Sequence, residues 1–432
     1  MQPLYLEMLS SFLIQVISLA TFLVASTPTH ATAPSWGNSS SILRHDTGVY
    51  GPEVEEFHYY YDQWPIGLAV SKEGRTFVCY SRGNLTYTVG EVVNKTAEKP
   101  WPNQEMNLPR QGLSQVVDET LFGSTDDTAF ISVQALIFTP DNTLWVLDTG
   151  RPTINGTSAL ALPGGPKLMA FDINNNTVKR TYTFPLDVHY PDSYLNDVRI
   201  DQRANVTESG QGIAYLVDSS DQGRNGIIML DLGTGESWRH LDQHPSVLRV
   251  PENVPSYEGK PFYMHFEHQP RGFQVEGIDG IQLSVDGETL FYSPMTSSYL
   301  YSIPAKYLRA NSKKDPLANQ RAQNHVNNLG QRGGMANGFE GDTNDLIYMP
   351  MPEHNAIYVY NSTSLAAEPF VRDPRILWPD TICIGFDGYL YININQLYYQ
   401  AAWNNGVDTR QKPGAILRVK LENGGNKVLS LV

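Results

Sequence analysis

The stretch "TICIGFDGYLYININ", residues 381–395, decides the fold of this chain. It begins with an apolar segment, continues through a Phe-Asp-Gly turn, and ends in a segment where apolar and polar side chains alternate. Alternation with a period of two is typical of a β-strand with one buried face, and a glycine-containing turn between two such segments is typical of a β-hairpin. The stretch therefore predicts two antiparallel strands joined by a tight turn.

The same order of apolar strand, polar turn and alternating strand occurs five more times along the chain. The copies are "IGLAVSKEGRTFVCYSR" (66–82), "QALIFTPDNTLWVLDTG" (134–150), "VRIDQRANVTESGQGIAYLVDSS" (198–220), "IQLSVDGETLFYSPM" (281–295) and "GFEGDTNDLIYMPM" (338–351). Further strand candidates lie between the copies, so each repeat supplies two hairpins, which form a four-stranded sheet. Six such sheets predict an all-β fold, a single-domain six-bladed β-propeller over residues 49–432.

The spacing of the copies is irregular, which predicts long loops at residues 240–277 and 309–336. Helix signals are nearly absent, because 28 prolines and 35 glycines punctuate the chain and no long window keeps an apolar stripe at helical spacing.

The first 48 residues do not follow the repeat. An apolar run over residues 9–25 is followed by small residues, which predicts a signal peptide at residues 1–25 and an N-terminal extension at 26–48. Because Glu7 is present and Lys and Arg are absent before this run, a retained anchor is the alternative. No second segment is long and apolar enough to span a bilayer, so no membrane contact is predicted after cleavage.

Secretory passage is also indicated by glycosylation sequons and is compatible with the cysteine content. Cys79 and Cys383 fall in the first and last repeats, which are neighbours when a propeller closes. A disulfide between them is one alternative and two buried free thiols are the other. The Asn-x-Ser/Thr sequons lie at Asn38, Asn84, Asn94, Asn155, Asn175, Asn205 and Asn361. We therefore predict a secreted or vesicular glycoprotein.

The net charge of the chain indicates which classes of partner it binds. The formal net charge is -14, the isoelectric point is near 5.1, and there is no basic run, which argues against nucleic acid and anionic membrane surfaces. No phosphate loop, dinucleotide fingerprint or Gly-x-Ser-x-Gly elbow is present. A small apolar or aromatic molecule is the predicted partner, and the oligomeric state stays open.

The tripeptide Asp148-Thr149-Gly150 is also found around the catalytic carboxylates of aspartic proteases, which need two such carboxylates sharing one proton. The nearest second candidate, Asp218-Ser219-Ser220, lacks the glycine. Because Asp148 ends the alternating strand of its repeat, we predict that it caps a turn.

Polar side chains recur just ahead of the inner strands of the predicted blades, where they face the mouth of the central channel. Together they form either a ring of oxygen ligands for Ca²⁺ or a metal-free hydrogen-bonding floor; we assign no metal ligand and predict no cofactor. These predicted substrate-binding or catalytic residues are Trp64, Gln134, Asn196, Asp197, Asp279, Asn337 and Asp380.

Two further groups complete the candidate site. The 240–277 loop contains His265 and Arg271. Histidine side chains in general can act as acid or base, and arginine can stabilise developing negative charge, so both are candidates for acid–base chemistry. Near the last repeat, Tyr389 and Trp403 belong to a run of aromatic residues that can wall an apolar pocket.

The segments "WPIGLAVSKEGRTFV", "LWVLDTGRP", "LNDVRID", "GIDGIQLSVDGETLFYSPM" and "WPDTICIGFDGYLYININ" together resemble the insect Yellow and major royal jelly protein family, in a fungal-type branch. The resemblance implies a six-bladed propeller similar to that of calcium-dependent lactonases, whose metal ring contains a Glu. The first inner strand here, "QWPIG", has no Glu, although Asn196 and Asp279 fall where other ligands are expected.

The functions that this resemblance implies are varied. Insect relatives include dopachrome-converting enzymes and amine-binding or nutritive proteins, and fungal relatives include hetero-Diels–Alderases that join a tropolone quinone methide to a humulene-type sesquiterpene. The leading hypothesis is such a pericyclase of secondary-metabolite biosynthesis. The alternatives are a metal-assisted lactonase or dopachrome-type tautomerase, or a non-catalytic small-molecule-binding protein.

In the leading hypothesis the candidate residues take separate roles. Asp279, Asp380 or His265 assist the loss of water, Asn196 and Arg271 hydrogen-bond the tropolone oxygens, and Tyr389 and Trp403 hold the terpene.

Overall fold

The computed structural model describes residues 46–81 and 86–428. The chain divides into two units, residues 1–47 and 48–432, of which the second carries the strands below. The predicted signal peptide at 1–25, all but the last residues of the predicted extension at 26–48, and the sequons at Asn38 and Asn84 lie outside the described residues. Among the described residues, no helix is long and apolar enough to cross a membrane.

Strands account for most of the regular structure. In chain order they are β1 (Val54–Tyr60), β2 (Gly67–Val70), β3 (Thr76–Cys79), β4 (Val89–Asn94), β5 (Ala97–Pro100), β6 (Ser114–Val117), β7 (Thr120–Gly123), β8 (Val133–Phe138), β9 (Thr143–Asp148), β10 (Thr153–Ile154), β11 (Thr157–Ser158), β12 (Lys167–Asp172), β13 (Thr177–Thr183), β14 (Leu195–Asp201), β15 (Ile213–Asp218), β16 (Gly226–Asp231), β17 (Ser237–His240), β18 (Ser256–Tyr257), β19 (Lys260–Pro261), β20 (Ile278–Leu283), β21 (Thr289–Pro294), β22 (Tyr299–Pro304), β23 (Asn327–Gln331), β24 (Glu340–Gly341), β25 (Leu346–Met351), β26 (Ala356–Asn361), β27 (Ala366–Arg372), β28 (Pro379–Ile384), β29 (Tyr389–Ile394) and β30 (Gly414–Lys420).

Helices are short and few in the described chain. They are the α-helices α1 (Ala305–Arg309) and α2 (Ala318–Gln323) and the 3-10 helices Glu105–Asn107, Ala204–Val206, Pro352–His354, Leu397–Tyr399 and Ala401–Trp403. Both α-helices lie between β22 and β23, so the predicted loop at 309–336 is partly helical.

Six four-stranded antiparallel sheets are present within residues 46–81 and 86–428. From the channel outward, the blades are β2–β5, then β8, β9, β12 and β13, then β14–β17, β20–β23 and β24–β27, and finally β28, β29, β30 and β1. The first strand of each blade contacts the first strands of the two neighbouring blades, so the inner strands form a closed ring. The predicted six-bladed β-propeller is confirmed, and each repeated hairpin forms the two inner strands of one blade.

The ring is closed by the beginning of the described chain. Strand β1 pairs antiparallel with β30, from Val54 opposite Val419 to Tyr60 opposite Gly414, and so becomes the outer strand of the last blade. The last sheet therefore joins segments more than 350 residues apart in sequence, a closure that the repeat pattern did not reveal.

The core lies between the blades, and most apolar clusters of the described chain mix side chains from two neighbouring sheets. Between the last blade and the first, for example, Tyr60, Tyr391 and Ile416 pack with Val78 and Tyr80. Burying each such side chain contributes roughly 1.5–3 kcal/mol. The seam between first and last blades is thus held by the same apolar packing as the other seams.

Asp148 is a structural residue, as predicted. Its carboxylate accepts hydrogen bonds from the backbone N–H groups of Ile131, Ser132 and Gly150, at 2.7 to 2.9 Å, and lies 3.1 Å from the ammonium of Lys167. Asp148 and Lys167 are both fully buried, so each charge offsets the cost of burying the other.

The next blade repeats this arrangement with different partners. Asp218 accepts the backbone N–H groups of Tyr194 and Ser220 and pairs with Arg239 at 2.7 Å. The carboxylate at the end of the second strand therefore fixes the residues that lead into the inner strand.

The disulfide alternative is wrong in this structure, because Cys79 and Cys383 are both free, buried thiols. The Sγ atom of Cys79 donates to the carbonyl oxygen of Gln134 in the second blade, at 3.4 Å. Cys79 is therefore directed toward the second blade, away from the last blade, where Cys383 lies.

Replacement of Tyr60 tests the closure of the ring. Tyr60 is fully buried at the seam, whereas its neighbour Tyr61 is 53% exposed. We expect Tyr60→Ala to lower the free energy of unfolding by about 3–5 kcal/mol, because a large aromatic side chain is lost from a packed core. The matched control Tyr61→Ala is expected to change it by less than about 0.5 kcal/mol. Equal effects in urea denaturation would contradict the closure described here.

Candidate functional site

The central channel contains a cavity of about 980 Å³ that is lined by residues from all six blades. Six of the seven polar channel residues predicted from the sequence line it, namely Trp64, Gln134, Asn196, Asp197, Asp279 and Asp380. The seventh, Asn337, lies directly behind, where its Nδ2 donates to Oδ1 of Asp380 at 3.2 Å. The structure thus brings these predicted side chains together at one cavity, and their roles stay predictions.

Local irregularities of the inner strands direct these side chains. The pairing register shifts between Val133 and Ala135 in β8, and between Ile278 and Ile281 in β20. The same shift occurs at 195–198 in β14 and at 379–382 in β28. A β-bulge changes the direction in which a side chain projects. Gln134, Asn196, Asp197, Asp279 and Asp380 all lie within these four bulges.

Close packing constrains one bulge further. A Cβ atom on Gly280 would lie 2.6 Å from the carbonyl oxygen of Asn337 in the next blade. A residue without a side chain is therefore required beside Asp279, which fits the sequence "GIDG" at the start of that inner strand.

A chain of hydrogen bonds runs across three blades to Asp279. The hydroxyl of Tyr194 donates to Oε1 of Gln134 at 2.8 Å, and Nε2 of Gln134 donates to Oδ1 of Asn196 at 2.8 Å. Nδ2 of Asn196 then donates to Oδ1 of Asp279 at 2.6 Å. Asp279 is thus held at one oxygen by an amide group.

Asp380 is held at both oxygens. Besides the bond from Asn337, it accepts a hydrogen bond at Oδ2 from Nδ2 of Asn395 at 2.5 Å. Burial raises the pKa of Asp380 to about 7, while the hydrogen bond from Asn395 acts in the opposite direction by stabilising the ionised form. Asp380 therefore changes its charge near neutral pH.

Asp279 is surrounded by more negative charge than Asp380. Burial raises its pKa well above the ordinary value, and the negative charges of Asp380, Asp197 and Glu276 raise it further, whereas Arg332 acts against the shift. Burial also raises the pKa of Asp197 and of Glu276, which lines the same cavity. The channel thus contains a group of carboxyl groups whose ionisation is opposed by burial and by one another.

Ion pairs occupy the deeper part of the channel. Arg199 lies three residues beyond Asn196 along β14, about 10 Å further in, and its guanidinium is 2.8 Å from Asp197 and 2.8 Å from Oε1 of Gln282. Lys427 and Glu340, both buried, form a second pair at 2.9 Å. These charges neutralise one another, so the inner end of the cavity carries little net charge.

The mouth is bordered by loops. Residues 266–269 and 397–402 contribute Phe266, Glu267, Leu397 and Gln400 to the cavity lining. Beneath them, Trp403 stacks on Phe262 with ring centroids 5.6 Å apart, in a buried aromatic cluster with Trp378. Trp403 therefore supports the loops from below and does not line the cavity, contrary to its predicted role in binding substrate.

Three other predicted residues also lie outside the cavity lining. His265 and Arg271 belong to the mouth loop, where His265 is half-buried and Arg271 is exposed. The backbone N–H of His265 donates to the carbonyl oxygen of Ala402, which fixes its chain segment against the neighbouring loop. Tyr389 begins β29, which runs antiparallel to β28, so it lies at the opposite end of the blade from Asp380 and contacts Arg418.

Several lining residues were not singled out in the sequence. Tyr194 lies two residues before Asn196, so the period of a strand could have revealed it. Asn395 ends the alternating segment of the last repeat. Glu276 lies in the irregular approach to β20, and Glu340 and Lys427 are brought together by the fold from distant segments, for which no local signal exists.

The alternatives of a calcium site and a hydrogen-bonding floor can be compared with these contacts. Calcium requires six to eight oxygen ligands, whereas the amide N–H groups of Asn196, Asn337 and Asn395 point at the carboxylates. Among the residues that the structure describes, no group of three or more His, Cys, Asp and Glu side chains is arranged to hold a metal ion. As arranged, these side chains form a hydrogen-bonded floor, and the prediction of no cofactor stays a prediction.

Comparison with known proteins places the chain in a family. Residues 131–427 match the sequence profile of the family described as "Major royal jelly protein". The chain is 27% identical over 179 residues to Protein yellow of Drosophila madeirensis, covering 40% of this chain and 28% of that protein. It is 26% identical over 201 residues to Major royal jelly protein 1 of Apis mellifera, covering 46% and 42%. Each match thus spans less than half of the relative's length.

Solved structures share the general course of the chain at low sequence identity. A luciferin-regenerating enzyme has a TM-score of 0.46 and 11% identity, covering 87% of this chain and 97% of that one. A gluconolactonase from Xanthomonas campestris has a TM-score of 0.44 and 10% identity, covering 88% and 98%. At these TM-scores the likeness says nothing about what this chain binds or does.

The titration of Asp380 has a consequence for stability. Its pKa is about 7 in the folded protein and near 3.8 when the carboxyl is free in the unfolded chain. Between these two pH values the folded state therefore binds more protons than the unfolded state. The corresponding stabilisation is present below pH 3.8 and is lost as the pH rises through 7. We expect Asp380→Asn to lose less stability than the unmodified protein between about pH 4 and pH 7. Thermal unfolding at several pH values measures this, with the exposed Asp118→Asn as control; identical pH dependence in all three proteins would contradict a buried, protonated Asp380.

Proposed function

The chain belongs to the major royal jelly protein family, and from its channel we propose that it is an enzyme of small-molecule biosynthesis, a hetero-Diels–Alderase. Its substrates would be a hydroxymethyl tropolone and a humulene-type sesquiterpene. The enzyme would remove water from the first to give a quinone methide and then join this intermediate to an alkene of the second.

One observation carries the proposal, which is that two carboxyl groups with different hydrogen-bonding environments line one buried cavity. Within the described chain Asp380 accepts two amide hydrogen bonds and Asp279 accepts one, and Asp279 also faces more negative charge. Environments that separate the protonation of two carboxyl groups are the usual basis for assigning one as acid and the other as base. Asp279 is therefore the proton donor and Asp380, once ionised, the acceptor.

The dehydration uses both carboxyl groups, one of which gains a proton from the substrate while the other gives one to it. Asp380 removes the proton from the ring hydroxyl of the tropolone while Asp279 donates a proton to the departing hydroxyl of the hydroxymethyl group. The carbon–oxygen bond breaks, one water molecule leaves, and the ring oxygen becomes the carbonyl of the quinone methide. The proton gained by Asp380 equals the proton lost by Asp279, so the pair is restored by proton transfer between them.

The cycloaddition requires alignment and no further acid or base. The quinone methide supplies its carbonyl oxygen and its methylene carbon, which form one C–O and one C–C bond to the two alkene carbons without loss of any atom. The cavity, at about 980 Å³, is at the upper end of the usual range of about 300–1,000 Å³ for small-molecule sites, which favours two bound reactants. Apolar side chains for the terpene are supplied by Leu136, Ile137, Phe266, Met295, Ile382 and Leu397.

Alignment of this kind is a large source of rate enhancement. Holding two reactants in the reacting geometry contributes up to about 7–11 kcal/mol to lowering a bimolecular barrier. The hydrogen-bonded floor on one side and the apolar wall on the other would orient the tropolone oxygens toward Asn196 and the terpene toward the mouth. One stereoisomer would follow from that fixed orientation.

We also propose that the protein passes through the secretory pathway, which would permit glycosylation of its surface turns. The sequons at Asn94, Asn155, Asn175 and Asn205 are exposed, and the one at Asn361 is half-buried. Asn155 lies at the tip of the β10–β11 hairpin, with φ of 48°, and contributes to the lining of the cavity mouth. A glycan at Asn155 would extend from the rim of the channel.

Glycosylation at Asn155 can be tested on protein secreted from a eukaryotic host. We expect peptide mapping to find Asn155 occupied, and Asn155→Gln to take up the apolar dye Nile red faster, because the rim is then less crowded. The matched control Asn175→Gln removes a glycan far from the lining and is expected to leave the uptake rate unchanged. An unoccupied Asn155, or equal rates in both variants, would contradict the proposed role of this glycan.

The proposed reaction is tested by chiral chromatography with mass detection of the adduct formed from a hydroxymethyl tropolone and a humulene alcohol. We expect one enantiomer, formed faster with protein, and a loss of about 100-fold in rate for Asp279→Asn, since general acid catalysis contributes about that much or more. The control is the exposed Asp118→Asn, which should keep full activity.

A second arm separates acid catalysis from alignment. When the quinone methide is released chemically in the assay, Asp279→Asn should still give one enantiomer, because only the dehydration needs the proton. An unchanged racemic background with either substrate would overturn the proposal. Recovery of both reactants bound but unchanged would identify a binding protein, and turnover of lactones or dopachrome would identify a lactonase or tautomerase.

A further inference from the structure

The hydrogen bonds that lead from Tyr194 to Asp279 have a direction. A phenol at neutral pH is a donor through its O–H, and the hydroxyl of Tyr194 donates to Oε1 of Gln134. The amide of Gln134 must then turn its Nε2 toward Asn196, whose carbonyl oxygen accepts at 2.8 Å. Asn196 in turn presents its Nδ2 to Asp279. Each amide has one accepting and one donating end, so the orientation of the first group determines that of the last.

The first member of the chain is firmly held. Tyr194 is anchored by its backbone N–H, which donates to Oδ1 of Asp218 at 2.9 Å, and the guanidinium of Arg151 lies 5.7 Å from the centre of its ring. Burial raises the pKa of Tyr194 to about 12, so its hydroxyl keeps the proton that it donates to Gln134. A neutral phenol hydroxyl can both donate and accept, and in this structure the hydroxyl of Tyr194 is the donor to Gln134.

The arrangement at the other end separates the two oxygens of Asp279. Oδ1 receives the N–H of Asn196 at 2.6 Å, and an oxygen that accepts this N–H cannot donate a proton to the same nitrogen. Because the carbonyl oxygen of a carboxylic acid is the better acceptor, this contact favours Oδ1 as the carbonyl oxygen and Oδ2 as the oxygen that carries the proton. If Asn196 were turned over, its carbonyl oxygen would face Asp279 and accept that proton, which would then be less available to a substrate.

We propose that Gln134, oriented by Tyr194, is a positioning residue that keeps Asn196 donating to Oδ1 of Asp279 and so reserves Oδ2 for the proton delivered to the substrate. The inference rests on the proposed function for the use of that proton, but the orientation itself is a property of the free protein. Gln134 acts through Asn196 and is not assigned any contact with the reacting atoms.

The charges around Asp279 do not determine this orientation. Asp380, Asp197 and Glu276 favour its protonated form, and Arg332 opposes that form. They set how strongly the proton is held, whereas the amide chain sets which oxygen holds it. Removing Gln134 is therefore expected to change the location of the proton while the surrounding charges stay the same.

The orientation can be read without any substrate by infrared difference spectroscopy of protonated carboxyl groups. The band of Asp279 is identified as the one that disappears in Asp279→Asn. We expect this band to shift in Gln134→Met and in Tyr194→Phe, because the hydrogen bond to Oδ1 is lost or reversed. The control Gln115→Met, at an exposed position of β6, should leave the band in place. A band unchanged in both Gln134→Met and Tyr194→Phe would overturn the inference.

Steady-state kinetics test whether this orientation of Asp279 matters for the proposed reaction. With the hydroxymethyl substrate, Gln134→Met is expected to lower kcat about tenfold, the worth of one hydrogen bond of about 1.4 kcal/mol, with little change in KM. With chemically released quinone methide, which needs no proton from Asp279, the loss in kcat should be smaller than with the hydroxymethyl substrate. If the band shifts but the unmodified protein shows no dehydration, the positioning chain stands and the proposed function fails. If dehydration occurs and kcat is unaffected by Gln134→Met, the positioning role fails.

Discussion

Four β-bulges at the channel end of the inner strands are the constraint on which the site depends. In a regular strand, successive side chains project from opposite faces of the sheet. The register shifts in β8, β14, β20 and β28 instead direct four side chains into the channel, namely those of Gln134, Asn196, Asp279 and Asp380. The six-bladed ring places these positions around one axis, so the bulges of different blades meet. Contact between β2 and β28 closes the ring of inner strands around that axis, and the β1–β30 pair completes the last blade.

Enclosure has an electrostatic consequence. Carboxyl groups that would ionise freely in water are surrounded by protein and by one another, so ionisation of Asp279 and Asp380 is opposed by burial. Hydrogen bonds from amide groups compensate part of the cost of burying these carboxyls, with two such bonds to Asp380 and one to Asp279. The two carboxyls therefore differ in the negative charge that Asp279 faces and in the amide hydrogen bonds that Asp380 accepts, which is the basis for proposing an acid and a base within one channel.

The sequence could reveal the fold and the polar ring but not the rest of the site. Repeated hairpins such as residues 381–395 are local signals, and Asp or Asn ahead of an apolar strand is recognisable because it breaks the apolar pattern. Tyr389 was predicted at the wrong end of its blade, because antiparallel pairing places the start of β29 far from the start of β28. Trp403, His265 and Arg271 were wrongly predicted to line the cavity, because the packing of loops cannot be predicted from a local sequence pattern. Glu340 and Lys427 meet only after folding.

The proposal on which the mechanism depends is that Asp279 and Asp380, which line one cavity, differ in protonation at neutral pH. Its most direct test is a carbon NMR titration of protein labelled at the aspartate carboxyl carbons, with Asp279→Asn and Asp380→Asn used to identify the two signals. We expect Asp380 to titrate at about pH 7, and Asp279 to titrate well above the ordinary aspartate value and at a different pH from Asp380. Two signals that both titrate near the ordinary aspartate value of about 4 would contradict it.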